Sequence, residues 1–240
     1  MVNTLCIVQA RLTSSRLPNK VLMQLGDSKL SILEHVYQRL SQSRKIDKIV
    51  IAIPETPLND KLAAFLDDKG ISYIKGSEDN VLERFYQCAI QYKPQIVVRA
   101  TSDNPFVDWR QIDNMIDSLG ENDYISSENA PLGTSASVFY AEALYAAYEN
   151  AETDIEKEHV TPYIYRHPEL FKVKKIPYYL NINTSNYRLT VDTEQDFELA
   201  DKLYRNLYKG HPIENSEVYK FLDANPEMRA INLSVKQKTI

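Results

Sequence analysis

The sequence predicts an α/β fold, a parallel sheet covered on both faces by helices. In the first hundred residues, short apolar runs rich in β-branched side chains alternate with segments whose apolar residues recur at helical spacing. The connections between them are only a few residues long, as in strand–helix–strand units. Composition agrees with a globular chain, at 43% hydrophobic and 25% charged residues.

Leu5–Ala10 is a short apolar run with β-branched residues and reads as a buried strand. A polar, basic loop, Arg11 to Lys20, follows it. Leu30, Leu33, Val36, Tyr37 and Leu40 then mark a helix face. Lys48–Ile53 is a second strand, ended by Pro54. Leu58–Lys69 is a helix with Gly70 at its C-terminal end. Ile71–Lys75 is a strand, and Asp79–Tyr92 a helix with Val81, Leu82, Phe85, Cys88 and Ala89 inward. Gln95–Ala100 is a fourth strand. The second half is less regular. Asp123–Ser127 and Ser135–Tyr140 read as strands, and Ala141–Asn150 as a helix. Thr153 with Glu156 forms a capping-box pattern. Phe171–Leu180 and Tyr187–Val191 read as strands around a turn-rich tip, Asn181–Asn186. Thr193 caps a final helix carrying Phe197, Leu199, Ala200, Leu203 and Leu207. With no repeat or linker, residues 1–240 read as one domain in which about 171–186 can project as a β arm.

The net charge of −5 and a pI of about 5.5 argue against a nucleic-acid or anionic-membrane surface, so any anion site must be local. No apolar stretch approaches a membrane span, and the N-terminus lacks a basic start and a long apolar core, so the chain is expected to be cytoplasmic. Cys6 and Cys88 lie in apolar runs and read as small buried hydrophobes. Only six glycines are present, and neither G-x-G-x-x-G nor a P-loop occurs. The histidines His35, His159, His167 and His211 show no metal-ligand spacing.

Three segments carry chemistry. The loop Arg11-Leu12-Thr13-Ser14-Ser15-Arg16-Leu17-Pro18-Asn19-Lys20 places three cations and three hydroxyls directly after a buried strand, a composition suited to a triphosphate. Strand Gln95–Ala100 delivers Asp103 at its carboxyl end, ahead of Asn104-Pro105. Tyr187–Val191 delivers Asp192 just before the Thr193 cap. Alone, Asp103 reads first as a turn cap before Pro105, and Asp192 as a turn or cap residue. Two strand-end carboxylates beside a cationic loop, at the sheet edge where α/β proteins bind ligands, describe a metal-bridged phosphate site.

Val8-Gln9-Ala10-Arg11 through Lys20-Val21-Leu22 resembles the opening signature of the cytidylyltransferases, the acylneuraminate and KDO enzymes among them, and most nearly the SpsF-like spore coat polysaccharide branch. The resemblance continues in Gly76 to Arg84, Val98 to Pro105, Glu158 to Ile164 and Leu189 to Thr193, in that order. It implies a nucleotide-diphospho-sugar transferase fold: a three-layer α/β/α sandwich with a mixed, mostly parallel sheet, often in a homodimer. It implies transfer of CMP from CTP to a sugar acid or related acceptor, with release of pyrophosphate and Mg²⁺ as cofactor, in surface polysaccharide or glycoconjugate biosynthesis. Carried over, Arg11, Arg16 and Lys20 would hold the triphosphate, with Lys20, Arg11 and Asp103 catalytic. Asp103 and Asp192 would ligate Mg²⁺, and Gln9 and Ser77 would lie near base and ribose. Arg99, Glu158, His159 and Arg188 would lie near the acceptor.

Two departures stand out. Asn19 occupies the place where the family usually has glycine before the lysine, and asparagine tolerates a left-handed backbone. Ser135 and Ser137 stand where SpsF-like chains usually carry an Asp and a Glu, which fits a more anionic acceptor such as a phosphorylated one. Two alternatives remain at this level: a nucleotide-sugar-dependent glycosyltransferase on the same fold, and a non-catalytic binding homologue.

Overall fold

A computed structural model describes residues 2–183 and 187–237. Its centre is a seven-stranded sheet, formed by β1 (Thr4–Gln9), β2 (Lys48–Pro54), β3 (Tyr73–Gly76), β4 (Ile96–Thr101), β5 (Tyr124–Glu128), β6 (Ser137–Tyr140) and β7 (Val173–Pro177). The spatial order is β3-β2-β1-β4-β6-β5-β7. β1, β2, β3 and β4 are mutually parallel, β6 runs antiparallel to β4 and β5, and β7 is parallel to β5. The sheet is therefore mixed and mostly parallel, as expected.

The helices α1 (Ile32–Leu40), α2 (Asp60–Asp68), α3 (Val81–Tyr92), α4 (Trp109–Asp117), α5 (Ala141–Asn150), α6 (Asp154–His159), α7 (Pro162–Arg166), α8 (Glu194–Leu207), α9 (Asn215–Ala224) and α10 (Pro226–Ala230) follow in chain order. Alternate residues of β1 feed opposite cores. Cys6 and Val8 pack with Leu33 and Val36 of α1, Leu62 and Leu66 of α2, and Ile112 and Met115 of α4. Leu5 and Ile7 pack with Leu82 and Phe85 of α3, Leu144 and Ala147 of α5, and Ile164 of α7. These are the outer layers of the sandwich. A third cluster joins Leu17, Leu25 and Phe106 to Leu189, Val191, Leu203, Tyr204 and Tyr219, and so fastens α8 and α9 beside the sheet. Both cysteines are free and buried.

Local chemistry sets the helix starts. Ser31 and Glu34 form a capping box on α1, and Thr153 and Glu156 form the expected one on α6. Several expectations need correction. Tyr187–Val191 is extended but belongs to no ladder: it forms one bridge, Leu132 with Arg188, because its N–H groups go to loop carbonyls, Leu189 to Leu132 at 2.8 Å and Val191 to Asp103 at 2.9 Å. The 171–186 stretch contributes Val173–Pro177 to the sheet as its outer strand beside β5, and residues 184–186 of the expected tip lie outside the described residues. The helix capped by Thr193 is followed by α9 and α10, and α4 was not anticipated.

Candidate active site

A cavity of about 380 Å³ opens at the carboxyl ends of β1 and β4. Gln9, Arg11, Arg16, Lys20, Arg99, Asp103, Glu158, His159 and Asp192 all line it, so most of the residues singled out in the sequence converge there. The basic loop is pinned at its base. Leu12 N–H donates to buried Asn59 at 2.9 Å, and Asn19 N–H returns to the Leu12 carbonyl at 3.0 Å. Asn19 is left-handed, with φ 59°, and starts the short 3-10 turn Lys20–Leu22 that turns Lys20 inward.

Lys20 is the hub of one end. Its side chain is 9% exposed, and Nζ donates to Asp103 at 2.9 Å, Asp192 at 3.0 Å and the Val191 carbonyl at 2.7 Å. Arg16 reaches Asp192 at 3.2 Å. The Val191-to-Asp103 backbone bond sets the two aspartates side by side. Gly133 permits a further close approach: at φ +93° its Cβ would stand 2.1 Å from the Thr190 nitrogen. Burial would raise the Asp103 pKa, but the Lys20 charge and the hydrogen bonds from Thr101 and Lys20 outweigh it and hold the carboxyl below its ordinary value.

The other end is walled by α3, α6 and the tip of β4. Arg99 donates to Gln9 Oε1 at 3.0 Å, which fixes the Gln9 side chain. Arg11 lies 3.5 Å from Glu158. Burial lowers the His159 pKa; Glu158 opposes this, while Arg99, Arg11 and Arg166 add to it, so the imidazole is neutral at pH 7.

Two candidates sit elsewhere. Ser77 is not on the cavity wall, and its hydroxyl accepts from Asn80 N–H at 3.1 Å. Arg188 lies behind the wall, donating to Asp196 at 2.8 Å, Asp192 at 3.1 Å and Gln237 at 2.7 Å. Its guanidinium braces Asp192 and Gln237, which do line the cavity. The two serines also separate. Ser137 lies directly across the ladder from Arg99 and shares a hydrogen bond with Tyr124 at 3.0 Å, whereas Ser135 bonds the Ala136 carbonyl at 3.1 Å. Sequence reasoning missed Arg84, which lines the cavity and is 2% exposed. Its signal was present: it falls among Val81, Phe85 and Cys88 on the apolar face of α3.

The chain is similar to known proteins over nearly its whole length. The chain is 37% identical to the spore coat polysaccharide biosynthesis protein SpsF of Bacillus subtilis, over 95% of this chain and 97% of that one. It is 40% identical to an uncharacterized protein of Methanocaldococcus jannaschii, over 97% and 96% of the two chains. Among solved structures, a cytidylyltransferase from Leptospira borgpetersenii covers all of this chain and 99% of its own, with a TM-score of 0.87 and 25% identity. A CMP:2-keto-3-deoxy-manno-octonic acid synthetase complexed with CTP shares the fold, with a TM-score of 0.64 at 13% identity, covering 85% of this chain and 99% of that one. A cytidylyltransferase model matches residues 5–220, a span that takes in the basic loop, Asp103 and Asp192, and the chain therefore belongs to the cytidylyltransferase family.

Proposed function

We propose that this enzyme transfers CMP from CTP to a sugar acid or a related, phosphorylated small acceptor. One observation carries the reading: Lys20, Asp103 and Asp192 converge at the edge of a cavity ringed by guanidinium groups, in a chain of this family. An acceptor oxygen attacks the α-phosphorus, the new P–O bond forms, and the bond to the pyrophosphate oxygen breaks. The proton of the attacking group leaves with solvent or the pyrophosphate.

The donor set fits Mg²⁺. Lys20 Nζ already sits among three oxygens, from Asp103, Asp192 and Val191, an arrangement that suits a compact cation. Two carboxylates with substrate phosphates and water are the usual company of this ion. Among the described residues no three His, Cys, Asp or Glu side chains converge into a complete cage, so substrate oxygens would finish the shell. Bound by Asp103 and Asp192, Mg²⁺ would neutralise charge on the phosphates and the departing pyrophosphate. Lys20, Arg16 and Arg11 would grip the triphosphate, and Arg188 would keep Asp192 in place. No covalent enzyme intermediate is required, because positioning and charge neutralisation supply the catalysis.

We read the chain as one domain acting in the cytoplasm, in glycoconjugate synthesis. The single sheet supports the first point. For the second, no described helix is long and apolar enough to cross a membrane. The test is pyrophosphate release from each of the four NTPs with Mg²⁺ and a panel of sugar acids and phosphorylated acceptors. CTP should be the preferred donor. Transfer from a nucleotide sugar with no pyrophosphate from any pair would refute the reading.

A further inference from the structure

Among the described residues, two buried side-chain nitrogens lack a hydrogen-bond partner: Arg84 Nε and Arg99 Nε. Both arginines line the cavity at its α3–α6 end. A buried N–H left without an acceptor is costly, and more so on a charged group. Arg84 spends its Nη1 on the carbonyls of Ser77 and of Glu78, the latter at 3.2 Å. Arg99 spends one Nη2 bond on the neutral Gln9 amide. Across the ladder Arg99 meets Ser137, whose hydroxyl is occupied by Tyr124, so β6 offers it no anion.

The surrounding charges do not compensate. Arg11 lies near Arg84, and Arg11 and Arg166 add to the positive field around His159. Glu158 is drawn to Arg11. Glu78 and Glu83 act on Arg84 and Asp103 on Arg99, but only at a distance, and Asp103 is bonded to Lys20. Burial leaves both guanidiniums less basic than usual, Arg84 at about 10. The same chain satisfies a buried arginine fully elsewhere. Arg39, 1% exposed, donates to Val107 at 2.8 Å, Ile213 at 2.5 Å and Asn215 at 2.6 Å, and packs 4.8 Å from the Trp109 ring.

We propose that Arg84 and Arg99 form a subsite for a phosphate monoester carried by the acceptor, apart from the positions that hold the triphosphate. The inference rests on the CMP-transfer reading. A phosphate monoester brings close to two negative charges and three acceptor oxygens at neutral pH, which matches two uncompensated guanidiniums, each with an N–H unspent. A carboxylate would neutralise one of them and leave the other, buried Arg84 or half-buried Arg99, with its charge unpaired. The subsite therefore selects the acceptor by its phosphate, while Lys20 and its aspartates handle the nucleotide.

Inorganic phosphate is the probe, titrated calorimetrically into the full chain with Mg²⁺, with and without a saturating non-hydrolysable CTP analogue. Phosphate should bind the analogue-filled chain, about tenfold or more tighter than acetate. Arg84→Gln and Arg99→Gln should each weaken phosphate by about tenfold, and Arg84→Gln, which leaves the Arg99–Gln9 bond in place, should keep analogue affinity within about threefold. Ser137→Glu keeps both arginines and sets a carboxylate opposite Arg99, and it should weaken phosphate comparably. The wild-type arm needs no variant to fold. Exclusion of phosphate by the analogue, acetate binding equally well, or phosphate affinity in the empty chain that falls with Lys20→Ala but not with Arg84→Gln, would each overturn the subsite. Failure of the analogue to bind at all would overturn the parent reading instead, while the empty-chain comparison still decides the subsite.

Discussion

At the β4–α8 end of the cavity, Lys20 and Arg16 face Asp103 and Asp192, and Arg188 closes the ring from behind. At the α3–α6 end, Arg11 pairs with Glu158, and among the described residues no ion pair is formed by Arg84 or Arg99. The first end holds its own counter-ions, so its groups are aimed before any ligand arrives. The second is short of negative charge, so its balance is completed by what binds. In the proposed reading, the first end is preorganised for nucleotide with metal, and the second would discriminate among acceptors.

The largest effect comes from breaking the balanced end. Lys20→Ala and Asp103→Asn should each lower kcat for pyrophosphate release by on the order of 10²–10³-fold, with circular dichroism unchanged. Lys20→Ala also leaves Asp103 without its cation, while Asp192 keeps Arg16 and Arg188, and costs about 3 kcal/mol of stability. If those carboxylates hold the metal, Mg²⁺ should raise the melting temperature of Lys20→Ala more than that of the wild type. Equal stabilisation of both proteins by Mg²⁺ would remove Asp103 and Asp192 from the metal's shell, whatever the activity data say.

A middle-sized effect separates bracing from binding. Arg188→Ala removes the cation from buried Asp196, which also accepts from Asn232 at 2.8 Å. Stability should fall by about 3 kcal/mol in urea unfolding. The pH dependence carries the sign. Burial alone would raise the Asp196 pKa, but Arg188 and Asn232 hold it below its ordinary value. A depressed carboxyl contributes stability that is present above the unfolded pKa of about 3.9 and is lost as pH falls through the folded value. Without Arg188 that loss begins at higher pH, so the acid midpoint of the variant should move up. A variant with wild-type stability and a raised acceptor KM would return Arg188 to the acceptor pocket.

The same contrast shows what the sequence could reveal. β1, β2 and β4 were legible because parallel strands buried on both faces leave continuous apolar runs. Asp103 and Asp192 were legible as residues following such runs, although the segment before Asp192 turned out to bond to loops instead of a ladder. The bracing bond from Arg188 to Asp196 was not legible, because it exists only once the extended segment folds back along α8. Arg84 was passed over because an arginine on an apolar helix face reads equally as a snorkelling side chain. Its meaning depends on β6 placing a serine opposite Arg99, a pairing that only the sheet order reveals. α4 and α9 were missed because their starts, at Trp109 and Asn215, follow turn-rich segments that looked like loop.

The smallest effect probes how finely the balanced end is aimed. Asn19 sits at φ 59° and makes no side-chain cap to the turn it begins, so its contribution is backbone conformation alone. Asn19→Gly should therefore change stability by no more than about 0.5 kcal/mol and leave kcat within about twofold. Asn19→Ala keeps a Cβ without the local polar compensation and should cost about 1 kcal/mol. Because Lys20 is the next residue, relaxing that strain would swing Nζ away from Asp103 and Asp192, and kcat/KM for CTP should fall while the response to inorganic phosphate at the Arg84–Arg99 end stays put. Loss of both together would mean that the two ends are mechanically coupled through the loop. Loss of neither would mean that the Lys20–aspartate bonds, not the left-handed turn, aim the lysine.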